Sequence, residues 1–270
     1  MPNTLQSPLQ QVQNGVSDDL LITAHAAMLA GRHFNQQASN LAKQGYMGAY
    51  PSSLGQEACQ VAAALALEPA DWLFPTYRDS VAVMSRGIDL AEVLSPFHGS
   101  SHCGYAPTKT HTAPEATPLA THTAHAVGLA MAAKFAGDST VALAICGDGS
   151  TSEGDFHDAL NLAAVFEAPV VFLVQNNGYA ISTPVSRQMR AASIAAKGEG
   201  YGMPAYQVDG NDFEQVYPRL HEALGLGPMW LKRSVRIAEN TRPESQRLPE
   251  NGHWACGHAK RADVCRRPAR

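Results

Sequence analysis

The chain has 270 residues, of which 45% are hydrophobic and 16% are charged, and its formal net charge is −4. This length and composition predict a globular protein of one large or two small domains with a sizeable core. The acidic balance argues against a nucleic-acid-binding protein, and no apolar run approaches the roughly 18 residues that a membrane span needs. The N-terminus lacks an apolar signal segment and the five cysteines form no C-x-x-C pair, so we expect a protein of the reducing cytoplasm.

Helices dominate the predicted structure of the first half of the chain. Residues 1–17 are rich in Gln, Asn and Pro and are expected to be poorly ordered. Asp18 begins a predicted helix of about 27 residues, with a break expected near Gly31. Further helices are predicted over 56–67, 79–87, 89–97 and 119–136, the last of them Ala-rich and buried. We interpret His125, which lies on that apolar helix, as a core histidine.

A loop over residues 99–118 is rich in His, Thr and Pro. One interpretation is a metal site built on His98, His102 and Cys103, but their spacing is not that of a recognisable zinc site. The alternative, which we favour, is a mobile loop beside an active site.

A strand, a turn, a helix and a second strand follow one another in the middle of the chain. Residues 140–146 form a continuous apolar run without alternation, which is typical of a central parallel strand covered on both faces. The glycines of Gly147-Asp148-Gly149 then permit a tight turn and a close approach of the backbone to a ligand. Ser152 is the predicted N-cap of a helix over 153–167, and residues 170–174 are the second buried strand.

Polar turns therefore follow two neighbouring predicted strands. Because the carboxyl ends of parallel strands meet at one edge of a sheet, we expect Asp148 to lie near Asn177. Carboxylate and carboxamide oxygens suit a hard cation such as Mg²⁺, which usually takes other ligands from a bound diphosphate. A helix N-terminus beside Asp148 also favours phosphate oxygens. Either turn alone is an ordinary strand end, and only their joint occurrence is specific.

The later part of the chain continues the alternation of strands and helices. Helices are predicted over 191–199 and 212–224, with a short strand over 205–208 between them. This order predicts an α/β fold in which helices flank a parallel, doubly wound sheet.

The two polar turns, with the residues between them, resemble the thiamine diphosphate motif. The longer strings over 147–156 and 175–182 are similar to the alpha subunit of the E1 component of 2-oxo acid dehydrogenase complexes, a family that includes pyruvate and branched-chain enzymes. Four further segments fall in the family's order, namely 55–59, 74–79, 117–121 and 208–212. The resemblance covers residues 18–228 and implies a thiamine diphosphate-binding fold.

The resemblance implies roles for particular residues. It implies that Mg²⁺ is held by Asp148, Asn177 and the backbone carbonyl of Tyr179. It implies thiamine diphosphate contacts from Tyr77, Arg78, Thr117, Leu119, Gly149, Ser150 and Gln175. Gln175 stands where some relatives have a basic residue, so its contact would lack a charge.

Three of these assignments can be weighed further. The guanidinium fork of Arg78 matches phosphate oxygens, although residues 77–79 could instead be a surface helix start with a local ion pair. Leu119 would help to enforce the bent form of the cofactor. Pro118 and Thr121 resemble a loop that binds K⁺ in branched-chain relatives, but His122 stands where Gln is usual.

The implied activity is the oxidative decarboxylation of a small 2-oxo acid, either pyruvate or a branched-chain acid, with acyl transfer to the lipoyl domain of E2. The Glu that activates the cofactor in this family comes from the E1 beta subunit, so the implied working unit is an alpha2-beta2 heterotetramer. An acetoin dehydrogenase alpha subunit, a transketolase-like transferase and a truncated non-catalytic subunit are the alternatives.

The sequence departs from the family after Pro228. The family continues with a strand and a loop that carries a catalytic His, whereas residues 229–270 are basic and match neither, so the catalytic residue is unknown. A frameshift near Pro228 is our hypothesis, and a divergent tail is the alternative. We therefore predict an incomplete E1 alpha domain over 18–228 and a tail that is foreign to the fold. If the tail is spurious, we expect weak cofactor binding and little or no activity.

Overall fold

The computed structural model describes residues 16–225 and the backbone of residues 237–241. The predictions for residues 1–15 and for most of the tail lie outside this described part. Its strands are β1 (Trp72–Phe74), β2 (Ala142–Gly147), β3 (Val170–Asn176), β4 (Tyr179–Ala180), β5 (Thr183–Pro184), β6 (Ala205–Val208) and β7 (Ile237–Thr241). Five of them form one sheet in the order β1-β2-β3-β7-β6, and every neighbouring pair is parallel. Strands β4 and β5 form a separate antiparallel hairpin.

Helices cover both faces of the sheet. In the described residues they are α1 (Asp18–Lys43), α2 (Glu57–Ala66), α3 (Ser80–Ser85), α4 (Leu90–Leu94), α5 (Pro107–Thr110), α6 (Thr121–Ala136), α7 (Gly154–Phe166), α8 (Val185–Gln188), α9 (Ala195–Gly200) and α10 (Phe213–Gly225). Two 3₁₀ turns, Ser95–His98 and Asp148–Ser152, lie between them. Among the described residues, no helix is both long and apolar enough to span a membrane.

The central strands are buried on both sides, as their unbroken apolar runs predict. Leu143 and Leu173 belong to the core formed with α1, α2 and α10, whereas Ala144 and Phe172 belong to the opposite core formed with α6 and α7. Removing such large apolar side chains from water stabilises the fold by roughly 1.5–3 kcal/mol each. The predicted parallel, doubly wound sheet is therefore confirmed.

Helix α1 runs without a break through Gly31, so the predicted interruption there is wrong. Ser17 caps its N-terminus by accepting a hydrogen bond from the backbone N–H of Leu20. Gly31 is buried, and a Cβ atom at this position would lie 2.7 Å from Cγ1 of Val81 on α3. The glycine therefore allows α1 and α3 to pack closely, and it does not kink α1.

We expect Gly31→Ala to destabilise the protein by about 1–3 kcal/mol, because the stiff Val81 side chain cannot easily move away from the added methyl group. Urea denaturation measures this change. Gly128→Ala on α6 is the matched control, since a Cβ atom there meets no atom within 4 Å and should raise stability by about 0.5–1 kcal/mol. Equal effects of the two substitutions would contradict the packing argument.

The start of α7 differs from prediction. Ser152 belongs to the 3₁₀ turn Asp148–Ser152, and α7 begins only at Gly154. Its N-cap is Glu153, which makes no side-chain cap bond. The predicted capping role of Ser152 is wrong because the residues after β2 first complete the tight turn.

The ends of other helices also differ from the predicted ends. A 3₁₀ turn with a proline near its start replaces the second half of the predicted 89–97 helix, so α4 ends at Leu94. The helices predicted over 56–67, 79–87, 119–136, 191–199 and 212–224 are present with ends displaced by a few residues, and the strand over 205–208 is confirmed. Strand β1 and the β4–β5 hairpin were not predicted, because elements of two or three residues are too short to show a hydrophobic periodicity.

The prediction that His125 is a core histidine is wrong. His125 is exposed, and the buried histidine of α6 is His122, which is 4% exposed. Helix α6 is rich in small apolar residues around much of its circumference, so the sequence pattern does not show which face is buried.

Strand β7 comes from the tail that the sequence predicts to be foreign to the fold. Its backbone lies between β3 and β6, with Ile237 in register with Phe172 on one side and Ala205 on the other. The tail thus supplies a central position of the sheet. The assignment of residues 229–270 to a shifted reading frame stays a prediction.

Candidate active site

Two polar turns meet at the carboxyl edge of β2 and β3. Gly147, the last residue of β2, is in register with Gln175, and each strand leads directly into its turn. A Cβ atom on Gly149 would lie 2.8 Å from Cβ of Ala180 in the β4–β5 hairpin. The lack of a side chain at Gly149 therefore lets the turn after β2 and the hairpin after β3 pack against each other.

Asp148 is buried at this contact, with 2% exposure. Its Oδ2 accepts a hydrogen bond of 3.1 Å from Nε2 of Gln188, and Thr151 Oγ1 donates to its backbone carbonyl. The other amide atom of Gln188, Oε1, is buried and has no hydrogen-bond partner in the part of the chain that the structure describes. The carboxyl group of Asp148 and the amide oxygen of Gln188 thus bring several lone pairs together, and a bound cation could be coordinated by them.

The turn after β3 is held by two side-chain carbonyl groups. Oδ1 of Asn176 accepts from the N–H of Gly178 at 2.9 Å, and Oδ1 of Asn177 accepts from the N–H of Tyr179 at 3.1 Å. Gly178 has a φ of +87°, which favours glycine. A carboxamide oxygen has two lone pairs, so the bond from Tyr179 leaves Asn177 able to bind a further partner.

The turn that carries Tyr77 and Arg78 is anchored by a buried carboxyl group. Asp79 is 0% exposed, and its Oδ2 accepts from both the N–H and the hydroxyl of Thr76 at 2.7 Å. Burial raises the pKa of Asp79, and the Thr76 hydrogen bonds oppose this rise. Arg78 donates through Nη1 to the carbonyl of Ser52 at 2.7 Å. The turn does lead into a helix, since Asp79 is the N-cap residue of α3, but the alternative of a surface position is wrong because Asp79 lies in the interior.

A buried polar network joins this turn to the sheet. Nε2 of Gln175 donates to Oδ1 of Asp79 at 2.6 Å, and Oε1 of Gln175 accepts from Cys59 Sγ and from Nε2 of Gln60. Gln60 also donates to Oδ1 of Asp79 and to the carbonyl of Arg78, both at 3.1 Å. Both ends of the Gln175 carboxamide are thus engaged inside the protein. Its predicted contact with a diphosphate stays a prediction.

The segment that carries Thr117 and Leu119 lies beside the same turn. Its Ala116 N–H donates to the carbonyl of Pro75, and its Ala116 carbonyl accepts from the N–H of Tyr77, both at 3.0 Å. The structure therefore brings the Tyr77 turn next to the 117–119 segment, and the Asp148 turn next to Tyr179. Gln175 connects the two groups through β3.

Comparisons with known proteins identify the family. The model of the protein family described as "Dehydrogenase E1 component" matches residues 25–225. The chain belongs to this family. It is 44% identical to the 3-methyl-2-oxobutanoate dehydrogenase subunit alpha of Mycobacterium tuberculosis over 222 residues, which are 82% of this chain and 60% of that protein.

A second relative and one solved structure are also similar to the chain. The chain is 35% identical to the pyruvate dehydrogenase E1 component subunit alpha of Acholeplasma laidlawii, over 80% of this chain and 62% of that protein. The chain thus spans about 60% of the length of these relatives. The crystal structure of transketolase from Campylobacter jejuni matches with a TM-score of 0.58 and 21% identity, over 79% of this chain and 37% of that one. At this identity the match shows the fold alone.

In this E1 chain, the loop that the sequence predicts to bind K⁺ offers both oxygen and nitrogen atoms as metal ligands. Thr121 Oγ1 donates to Oδ2 of Asp155 at 2.9 Å. His122 Nε2 lies 2.7 Å from the carbonyl of Ile145, so Nε2 carries the proton, and its buried Nδ1 has no partner. Burial lowers the pKa of His122. A nitrogen in this place suits K⁺ poorly, and binding of K⁺ by Pro118 and Thr121 stays a prediction.

The alternative metal site on the 99–118 loop has no support from the geometry. His98 and His102 are exposed, and within the described residues no three His, Cys, Asp or Glu side chains gather in a way that could hold a metal ion. The mobility that we favoured for this loop stays a prediction.

Sequence reasoning missed residues that support the E1 site from a distance. Lys197 on α9 donates to the carbonyl and hydroxyl of Thr151, and so holds the end of the Asp148 turn. Burial lowers the pKa of Lys197. Gln188 and Gln60 were missed as well. None of these residues belongs to a local motif, and only the folded chain brings them to the site.

Proposed function

We propose that this chain supplies the alpha-subunit half of a site for thiamine diphosphate and Mg²⁺ in a 2-oxo acid dehydrogenase E1 component. The observation that carries the proposal is the packing of the buried Asp148 turn against the turn of Asn177 and Tyr179. The family match and the names of the two relatives support it.

The residues at this edge fit the proposed metal. Asp148, Asn177 and the carbonyl of Tyr179 would form an all-oxygen donor set, which is the kind that Mg²⁺ prefers. The unpartnered Oε1 of Gln188 lies on the side chain that contacts Asp148, and it adds acceptor character to the same place. This donor set contains a single acidic side chain, so Mg²⁺ would keep a net positive charge that a diphosphate could balance.

The residues around the metal position fit the proposed cofactor. Gly149 and Ser150 would offer backbone groups to the diphosphate, while Tyr77 and Arg78 would approach it from their anchored turn. Leu119, which is 39% exposed, and Thr117 would contact the organic part of the cofactor. When bound, the cofactor supplies the electron sink for decarboxylation of the 2-oxo acid. The part of these residues is to bind it, to orient it and to balance its charge.

The substrate and partners follow from the same proposal. The higher identity to a protein named for 3-methyl-2-oxobutanoate, 44% against 35% for one named for pyruvate, favours a branched-chain 2-oxo acid. The proposed partners are an E1 beta subunit in an alpha2-beta2 assembly and the lipoyl domain of E2. A non-catalytic alpha subunit is a second candidate, because the family match ends at residue 225 and the predicted His loop is missing from the sequence that follows.

Cofactor titration tests the proposal. Thiamine diphosphate is added to the full chain, alone and with an E1 beta subunit, in Mg²⁺ or in EDTA, and protein fluorescence is recorded. We expect saturable binding that requires Mg²⁺. Binding that is absent or indifferent to Mg²⁺ would show that the proposed site is wrong.

Turnover distinguishes the candidates that share this site. Turnover by the alpha–beta assembly is assayed as CO₂ release from 3-methyl-2-oxobutanoate and from pyruvate, and as acetaldehyde release from acetoin. Preference for the first supports the branched-chain assignment, and preference for acetoin supports the acetoin dehydrogenase alternative. Mg²⁺-dependent binding without turnover of any of them supports the non-catalytic subunit.

A further inference from the structure

Glu115 has a buried carboxyl group that the proposed cofactor site does not use. Its Oε1 accepts a hydrogen bond of 2.9 Å from Oγ of Ser80, and its Oε2 is buried without a hydrogen-bond partner among the described residues. Ser80 itself is 1% exposed and directly follows Asp79. Within the described part of the chain, Ser80 is therefore the hydrogen-bond donor of this carboxyl group.

The groups that face Glu115 make a negative charge costly there. Asp79 directly precedes Ser80 and its charge raises the pKa of Glu115, while a charge on Glu115 raises the pKa of the phenols of Tyr50 and Tyr105. Arg78 acts on Asp79 and Tyr50, but its guanidinium group donates to the carbonyl of Ser52. The thiol of Cys103, which donates to the Tyr105 carbonyl, also raises the pKa of the Tyr105 phenol.

These surroundings keep Glu115 neutral near pH 7. Burial, with a smaller contribution from Asp79, raises the pKa of Glu115 to about 8, although the Ser80 hydrogen bond opposes the rise. A neutral carboxyl group leaves one O–H without an acceptor among the described residues, which costs less than a buried charge would. An ionised one would leave a charged oxygen buried without a partner.

The Glu115–Ser80 hydrogen bond spans two segments that both belong to the candidate site. Glu115 precedes Ala116, whose backbone pairs with Pro75 and Tyr77, and Ser80 follows the Tyr77–Asp79 turn. The side-chain bond thus extends a short backbone bridge between the 115–119 segment and the 76–80 turn.

We propose that Glu115 is a positioning residue that, as a neutral carboxylic acid, holds the 115–119 segment against the 76–80 turn. Its effect on cofactor binding rests on the function proposed above, whereas the coupling of the two segments does not. Ionisation favours separation of the segments, because water then solvates a charge that the closed arrangement buries. Thr117 and Leu119 then lose their alignment with Tyr77 and Arg78.

Hydrogen exchange and cofactor titration across pH test this role. The wild-type chain is compared with Glu115→Gln, whose uncharged amide keeps an oxygen acceptor for Ser80. At about pH 4, below the ordinary glutamate pKa of 4.5, we expect peptides containing the Tyr77 and Ala116 amides to exchange at rates within about twofold of each other in the two proteins. Separation of the segments would return the Glu115 pKa to its ordinary value, so exchange in the wild type relative to the variant should speed up as the pH rises from there, and should be at least about tenfold faster at pH 8. The dissociation constant for thiamine diphosphate should rise by a similar factor in the wild type alone.

Control variants make the outcomes decisive. Glu214→Gln removes an exposed carboxyl group from α10 and should behave as the wild type at every pH. Ser80→Ala removes the hydroxyl that donates to Glu115, so the two amides should exchange faster even at about pH 4, and this variant replaces Glu115→Gln if the latter does not fold. The same pH dependence in Glu115→Gln as in the wild type would overturn the proposal. Exchange that follows the expectation without cofactor binding at any pH would uphold the positioning role and reject the proposed function.

Discussion

Asp148→Asn will weaken Mg²⁺-dependent binding of thiamine diphosphate by about a hundredfold or more. The substitution keeps the shape of a side chain that is 2% exposed, but it removes the negative charge from the proposed metal ligand set. Loss of a charged partner in a buried site costs on the order of 3 kcal/mol, and each 1.4 kcal/mol corresponds to tenfold in affinity. Titration of the cofactor at several Mg²⁺ concentrations measures the change.

The control for this substitution is Asp158→Asn on α7. Asp158 is exposed and lies on the helix that follows the Asp148 turn, so its substitution should leave the affinity within about twofold. Circular dichroism should show that both variants are folded. An Asp148→Asn protein that binds Mg²⁺ and cofactor as the wild type does would remove Asp148 from the metal site.

Asp79→Ala will destabilise the protein by about 3–5 kcal/mol. The substitution removes the acceptor for Gln60, Gln175 and Thr76. Each buried donor that is left without a partner costs about 1–3 kcal/mol. Urea denaturation measures the loss. Asp158→Ala, the same exchange on the surface, should stay within about 0.5 kcal/mol of the wild type.

The pH dependence of stability separates the charge of Asp79 from its hydrogen bonds. Because folding raises the pKa of Asp79, its contribution is fully present below the unfolded pKa and is lost as the pH rises through the folded pKa. Asp79→Asn lacks this loss, so its deficit relative to the wild type should be largest in acid and should shrink as the pH rises. A deficit that grows with pH would show that Asp79 is held as a carboxylate.

The sheet and the two polar turns could be predicted because their signals are local and repeated along the chain. A strand with both faces covered has no polar alternation, and this is what residues 140–146 and 170–174 show. The topology of neighbouring parallel strands then places Asp148 near Asn177 without any knowledge of packing.

The support of the site could not be predicted in this way. Gln60 and Gln175 are far apart in the sequence, and their pairing with Asp79 depends on how α2 packs against the sheet. The neutral state of Glu115 likewise follows from enclosure by several loops, which no spacing in the sequence reveals. Helix ends were displaced where a 3₁₀ turn competed with the first or last turn of a helix.

The position of β7 has a consequence for how the chain is made. Residues 237–241 pair with β3 on one side and β6 on the other, so the ribosome releases both neighbours before the strand that joins them. Until then, β3 presents an open edge of unpaired N–H and C=O groups, which another chain can pair with. The nascent protein therefore passes through an aggregation-prone stage, and a chaperone that shields strand edges should raise its soluble yield.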